Sequence, residues 1–199
     1  MNTRMAVRVG TLLGVVALAF FALGKWMVSQ GEPQPLAWKT EYQDSLWEPL
    51  QERSLTLGAV RQVLPDGRLW LISAENEPRL VSRHRIHSDG QQWRAQAVIA
   101  LDQEQLDSLV AALQWQPGTP DQPVNPAIAE AMTDYSIERI SMIPQEPVDL
   151  QYILGTFGPV EVRMPVDVGE AWIYGGQGVV VAVNDDLAVS IMFGIRDRL

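Results

Sequence analysis

The stretch Gly169–Gly194, GEAWIYGGQGVVVAVNDDLAVSIMFG, decides the fold class of this chain. Three apolar runs, Glu170–Tyr174, Val179–Val183 and Leu187–Phe193, are separated by Gly-Gly-Gln-Gly and by Asn-Asp-Asp. Short runs rich in β-branched and aromatic residues, bounded by Gly, Asn and Asp, are typical of strands joined by tight turns. The stretch therefore predicts an antiparallel meander, which Val160–Met164 extends by a fourth strand.

A second group of strands is predicted earlier in the chain. Arg68–Ala74, Arg79–His87 and Gln91–Leu101 are separated by turn residues, and Asp89-Gly90 between the last two is a strong hairpin signal. In this last run, alternation places polar Arg94 and Gln96 on one face and the apolar residues Trp93, Ala95, Ala97 and Ile99 on the other. This alternation predicts a sheet with one buried face and one solvated face.

Short helices are predicted around these strands. Asp102 can cap a helix with Gln105 in the capping-box position, and an apolar stripe at helical spacing follows as far as Leu113. Tyr135–Ile143 is ambiguous between helix and strand. The other predicted helices are Tyr42–Leu50, Leu55–Leu64, Asn125–Met132 and Val148–Gly155. The fold class is therefore α+β, with antiparallel sheets and short helices.

Proline-rich breaks and hydropathy divide the chain. The Pro-rich segment 117–126 (PGTPDQPVNP) is the best internal boundary, because helix and strand patterns stop on both sides of it. We predict an N-terminal membrane anchor or signal segment, a linker, a first αβ module, a Pro-rich connection and a second αβ module, at residues 1–28, 29–36, 37–116, 117–126 and 127–199.

The N-terminal sequence predicts a membrane-targeting segment. A basic start ending at Arg8 precedes 16 uncharged residues, Val9–Gly24, and Lys25 and Trp26 follow. Lys25 can snorkel and Trp26 suits the bilayer interface, which favours a single transmembrane helix within residues 5–28. A cleavable signal peptide cut near Gly24 is the alternative. Both predict an exported domain, in the periplasm of a bacterium, tethered to the inner membrane or released.

Composition excludes several function classes. All 24 acidic residues lie beyond residue 28, with only 12 of the 15 basic ones, and no basic stripe stands out in the sequence. Such a chain is expected to repel nucleic acid. The chain contains no Cys, which excludes disulfides, thiolate catalysis and Cys-ligated metals. No motif predicts a cofactor.

The C-terminal region Ile153–Gly194 resembles the SmpA/OmlA family, small envelope lipoproteins with the BamE-like fold. The shared pattern is a short helix ending in Leu-Gly-x-x-Gly-Pro, then Gly-Glu-x-Trp-x-Tyr, a strand, an Asn/Asp turn and a final strand. The resemblance implies a non-enzymatic adaptor or binding module, with tandem αβ units as in β-lactamase-inhibitor proteins. The lipidated Cys of that family is missing here, and a hydrophobic segment takes its place.

Residues with catalytic potential have simpler interpretations. His84 and His87 lie three apart on a predicted strand and therefore point to opposite faces, so a shared metal is not expected. His87-Ser88-Asp89 contains the residue types of a catalytic triad, but adjacent residues rarely reach one another in that geometry. The glycines and acids of Gly175–Gly178 and Asn184–Asp186 match turn chemistry. We therefore expect no enzyme.

Four aromatic residues are candidates for a protein-binding platform: Trp172, Tyr174, Trp38 and Trp47. Core packing is the competing interpretation of each. The sequence predicts a membrane-tethered periplasmic interaction or scaffold protein with an envelope partner. An inhibitor-type domain acting on an envelope enzyme and an enzyme with an unrecognised carboxylate site are the two alternatives.

Overall fold

The fold is built on an antiparallel sheet of ten strands. The computed structural model describes residues 34–64, 66–74 and 76–194. The strands are β1 (Arg68–Ala74), β2 (Glu77–Ser88), β3 (Gln91–Ile99), β4 (Gln122–Pro123), β5 (Ile137–Pro144), β6 (Val148–Asp149), β7 (Val162–Pro165), β8 (Glu170–Tyr174), β9 (Val179–Asn184) and β10 (Leu187–Phe193). The sheet order is β4-β1-β2-β3-β5-β10-β9-β8-β7, and β6 pairs with β10. The predicted α+β class is confirmed.

The helices are short. They are α1 (Ala37–Glu41), α2 (Glu48–Gln51), α3 (Leu57–Val63), α4 (Gln103–Leu113), α5 (Pro126–Ala131) and α6 (Leu150–Phe157), with a π-helical turn at Gln43–Trp47 and a 3₁₀ turn at Gly175–Gln177. The predicted capping box of Asp102 and Gln105 begins α4. No helix among the described residues is long and apolar enough to cross a membrane, and the predicted transmembrane segment lies outside those residues.

Local turn chemistry explains the hairpins. Ser88 pairs with Gln91, so Asp89-Gly90 forms the two-residue turn between β2 and β3. Both residues have positive φ, 54° and 74°, as a type I′ turn requires. The predicted meander of β8, β9 and β10 is confirmed. The ambiguous Tyr135–Ile143 supplies most of β5, which lies between β3 and β10.

The core is rich in aromatic rings. At the π-helical turn, the Tyr42 carbonyl accepts hydrogen bonds from the Leu46 and Trp47 N–H groups. The wider backbone of the turn places both of these apolar side chains in the core. The Trp47 ring stacks on Phe193 of β10 at 4.1 Å between centroids. Helical residues near the start of the described chain thereby pack on the last strand.

Both predicted modules contribute to this one sheet. The strands of residues 37–116 meet those of residues 127–199 where β3 pairs with β5. The Pro-rich connection supplies β4, which pairs with β1 at the sheet edge. The two groups of strands share one hydrophobic cluster. That the two halves are related modules stays a prediction.

Candidate functional site

The four predicted aromatic residues do not form an exposed platform. Trp38, Trp47 and Tyr174 are 0% exposed and Trp172 is 4% exposed. Burial raises the pKa of the Tyr174 hydroxyl, and the Arg163 guanidinium opposes that shift. The interpretation of an exposed aromatic surface at these positions is wrong, because all four side chains pack in the core, which is the competing interpretation of each. Trp172 and Tyr174 do so together because they are alternate residues of β8.

Exposed apolar side chains occur in one short segment instead. In the described part of the chain, every large apolar side chain that is strongly exposed lies between Tyr152 and Val168. All ten residues of Glu161–Glu170, which span β7 and its turn into β8, are exposed. We call this range the apolar arm. Its exposed aliphatic residues are Val162, Met164, Val166 and Val168.

Local contacts hold the apolar arm in place. The Glu161 carboxylate accepts hydrogen bonds from the Gly175 and Gly176 N–H groups, the first at 2.9 Å. The Arg163 guanidinium lies 4.4 Å from the centroid of the Trp172 ring, directly across the strand pair. Arg163 lies on the same face of the sheet as Trp172 and covers its ring. Val162 and Met164 therefore point from the opposite face.

The backbone of the arm limits what can pair with its edge. The Val166 N–H donates to the Gly169 carbonyl, so in an antiparallel ladder Val162, Met164 and Val166 turn their backbone groups towards β8. The backbone groups of Arg163 and Pro165 therefore point towards the free edge of the sheet. Proline has no N–H group, so this edge offers an incomplete ladder to another strand. Recognition by the arm then depends on its side chains.

A second surface gathers arginine residues on the outer face of β1, β2 and β3. Arg68 lies directly opposite Arg83, and Arg85 lies directly opposite Arg94. Arg83 and Arg85 are two apart on β2, so all four residues share one face. We call this set the arginine face. No basic stripe stands out in the sequence because these arginines come from three strands and only the sheet brings them together.

The histidines and the triad-like residues serve the fold. His84 is buried on the core face, with its Nε2 atom 2.8 Å from the Ser82 hydroxyl, whereas His87 is exposed on the outer face. Asp89 accepts hydrogen bonds from the Ala37 N–H and from the Ser88 hydroxyl. The prediction of opposite faces for the two histidines is confirmed, and Asp89 orders the hairpin turn.

One cavity, of about 580 Å³ beside α4, is lined by Asp102, Glu104 and Tyr135 among others. Both acidic residues are exposed, and the Asp102 carboxylate caps α4 by accepting a hydrogen bond from the Gln105 N–H. A second cavity of about 400 Å³ between α3, α5 and β1 is lined by Arg61 and Arg68 together with apolar and backbone groups. The described residues that line it include no Asp, Glu or His. Likewise, residues 34–64, 66–74 and 76–194 contain no group of three or more potential metal ligands.

Comparisons with known proteins found no match to this chain. The resemblance to the SmpA/OmlA family therefore stays a prediction drawn from Ile153–Gly194. No protein-family model, curated protein sequence or solved structure matches the chain.

Proposed function

We propose that this protein is a non-catalytic interaction protein of the bacterial envelope. Residues 5–28 tether it to the inner membrane, and its folded domain lies in the periplasm, where the apolar arm binds an envelope protein. The N-terminal basic and hydrophobic pattern supports the tether. The observation that supports binding is the concentration of exposed aliphatic side chains in Glu161–Glu170.

The apolar arm has the chemistry of a protein-binding surface. Isolated exposed apolar side chains are ordinary, but a contiguous set indicates an interaction site. Val168 is 73% exposed and Val162 is 50% exposed, although both belong to a segment that is otherwise anchored by Glu161 and Arg163. A partner with an apolar groove would remove these side chains from water without reordering the segment. Pre-organisation of this kind lowers the entropic cost of binding.

The two alternative functions lack a supporting observation. An inhibitor-type domain would present an exposed aromatic face, and the four aromatic candidates are buried. An enzyme would need reactive groups converging on a cavity, and the 400 Å³ cavity is lined by arginine and apolar residues in the described part of the chain. At the cavity beside α4, Asp102 and Glu104 are exposed and Asp102 is engaged as the helix cap. The interaction protein therefore remains the proposal.

Site-specific photo-crosslinking tests the binding surface. A photoreactive amino acid at Met164 or Val168 is expected to yield a discrete heavier adduct in living cells, because these side chains would be buried against the partner. Gln62, exposed on α3, is the matched control position and should yield none. Absence of an adduct from both arm positions, or the same adduct from Gln62, would remove the arm from the proposal.

Cysteine accessibility tests the tether independently. Because the chain has no Cys, Gln62→Cys introduces a unique thiol in the folded domain. A membrane-impermeant maleimide is expected to label it in cells whose outer membrane alone is permeabilised, and the labelled chain should sediment with membranes. Labelling only after lysis of the inner membrane would contradict export, and a soluble chain beginning near Lys25 would contradict the tether.

A further inference from the structure

The arginine face is a concentrated cationic surface on an acidic protein. The chain carries a net charge of −9, yet Arg68, Arg83, Arg85 and Arg94 lie on one face of three adjacent strands. Arg68, Arg85 and Arg94 are exposed and Arg83 is partly buried. Strands β1 and β3 contain no acidic residue at all. On the same side of β2, Glu77 forms an ion pair with Arg79 at 2.6 Å, so the four arginines of the arginine face leave it with the opposite sign of charge to the whole chain.

The arrangement is electrostatically unfavourable to the isolated fold. Like charges directly opposite one another on antiparallel strands destabilise the pairing, and the face contains two such pairs. Asp121 forms an ion pair with Arg83, whose guanidinium also lies 5.2 Å from the centroid of the Trp70 ring. In the described part of the chain, no ion pair joins Arg85 or Arg94 to a carboxylate. An external anion would relieve this repulsion.

The start of the folded unit lies at the turn end of the hairpin that carries Arg85 and Arg94. The compact unit begins at Pro35, where the Leu36 N–H donates to the Thr156 hydroxyl and the Ala37 N–H donates to the Asp89 carboxylate at 2.9 Å. Asp89 is in the turn that ends the hairpin of Arg85 and Arg94. Those arginines lie four and five residues from the turn, roughly 13–17 Å at the rise of a strand.

The proposed tether brings this face within reach of a bilayer. Eight residues separate position 28 from Ala37, so the chain between these two positions spans at most roughly 30 Å when extended. A membrane surface is therefore the anionic partner that is always close to the hairpin. The remaining surface of the domain is acidic and would be repelled by anionic lipid, so attraction through one face alone also fixes an orientation.

We propose that the arginine face docks on the anionic phospholipid headgroups of the membrane that holds the tether. Lipid phosphate oxygens accept hydrogen bonds from the guanidinium groups of Arg85 and Arg94, and their negative charge offsets the Arg–Arg repulsion. Docking holds the hairpin turn towards the membrane. This inference rests on the tether part of the proposed function and not on the apolar arm.

A fluorescent label beside the face tests the docking with the full-length chain. Gln92→Cys provides a unique labelling site on the same outer face, two residues from Arg94. The chain is reconstituted in phosphatidylcholine vesicles with or without about a third phosphatidylglycerol. A headgroup-attached quencher is expected to quench the label at least about twofold more strongly in the anionic vesicles, and about 0.5 M NaCl should remove the difference.

Charge reversal separates binding from folding. Arg85→Glu and Arg94→Glu, made separately, are each expected to abolish the lipid-dependent quenching. Each also converts a repulsive cross-strand pair into an attractive one, so the thermal midpoint should stay equal or rise. Arg53→Glu, at an exposed arginine in the turn after α2, makes the same change in net charge and should keep the quenching.

The outcomes also distinguish this inference from the proposed function. If the chain fails to associate even with neutral vesicles, the tether is wrong and the docking falls with it. If the chain inserts but Gln92→Cys is quenched equally in both lipids, or the Arg85→Glu variant retains the difference, docking on phospholipid is overturned while the tether stands. An acidic protein segment would then be the occupant to seek.

Discussion

Trp47→Ala is expected to cost about 3–5 kcal/mol of unfolding free energy, because it removes a fully buried aromatic ring from the centre of the core. The Trp47 ring stacks on Phe193 and meets Trp38 edge-on at 5.6 Å. The cost is a large fraction of the total stability of about 5–15 kcal/mol that is typical of a domain. We expect the variant to lose its cooperative transition when denaturant unfolding of the detergent-solubilised chain is followed by circular dichroism.

Two further variants show what the Trp47 ring contributes. Its Nε1 atom has no hydrogen-bond partner among the described residues, so Trp47→Phe removes part of the ring and no hydrogen bond. That change should cost only about 1–2 kcal/mol. Tyr152→Ala, at an exposed position on α6, should cost less than about 0.5 kcal/mol. Equal losses for Trp47→Ala and Tyr152→Ala would contradict the aromatic core described above.

Local signals made the elements of this fold predictable. The Asp89-Gly90 turn and the capping box of Asp102 each depend on residues a few positions apart, so the sequence carries all of the necessary information. The order of strands in the sheet does not depend on residues a few positions apart. Tyr135–Ile143 was ambiguous because Glu138 and Arg139 interrupt its alternation, and its place between β3 and β10 depends on partners far away in the chain.

The two candidate surfaces could not be predicted for different reasons. Pro165 is a sequence signal of an edge strand, but the exposure of Val162 and Met164 follows only from the place of β7 at the end of the sheet. The arginine face required the register of three strands. One signal was nevertheless present, since Arg83 and Arg85 alternate along one side of a predicted hairpin and Arg94 follows on the other strand. Pairing the two strands across the Asp89-Gly90 turn would have identified three of the four arginines of the face.

Gly169→Ala is expected to displace the apolar arm from the sheet. Gly169 precedes β8 with φ of 84°, and a Cβ atom there would lie 2.0 Å from the backbone oxygen of Val183 on β9. A side chain at this position therefore meets both a strained backbone conformation and a backbone atom that cannot rotate away. We expect a loss of about 3 kcal/mol, of which about 1–2 is the left-handed conformation and the rest is steric.

Gly90→Ala is the matched control for the steric part. Gly90 has a similar φ of 74° in a hairpin turn, but a Cβ atom there meets nothing within 4 Å. It should therefore cost only about 1–2 kcal/mol, the conformational part alone. Hydrogen exchange should show faster exchange in β7 and β8 for Gly169→Ala and unchanged exchange in β9 and β10 for Gly90→Ala. Equal losses from the two substitutions would contradict the close approach of Gly169 to Val183.

The same pair of variants connects the fold to the proposed function. If the arm binds its partner as a pre-organised surface, Gly169→Ala should reduce crosslinking from Met164 while leaving the lipid-dependent quenching at Gln92→Cys intact, because the arginine face lies on β1, β2 and β3. Gly90→Ala changes the hairpin of Arg85 and Arg94 and leaves the arm in place, so it should preserve the crosslink. Loss of the crosslink in both variants would indicate a general loss of folding and would remove the support for the arm as a separate binding surface.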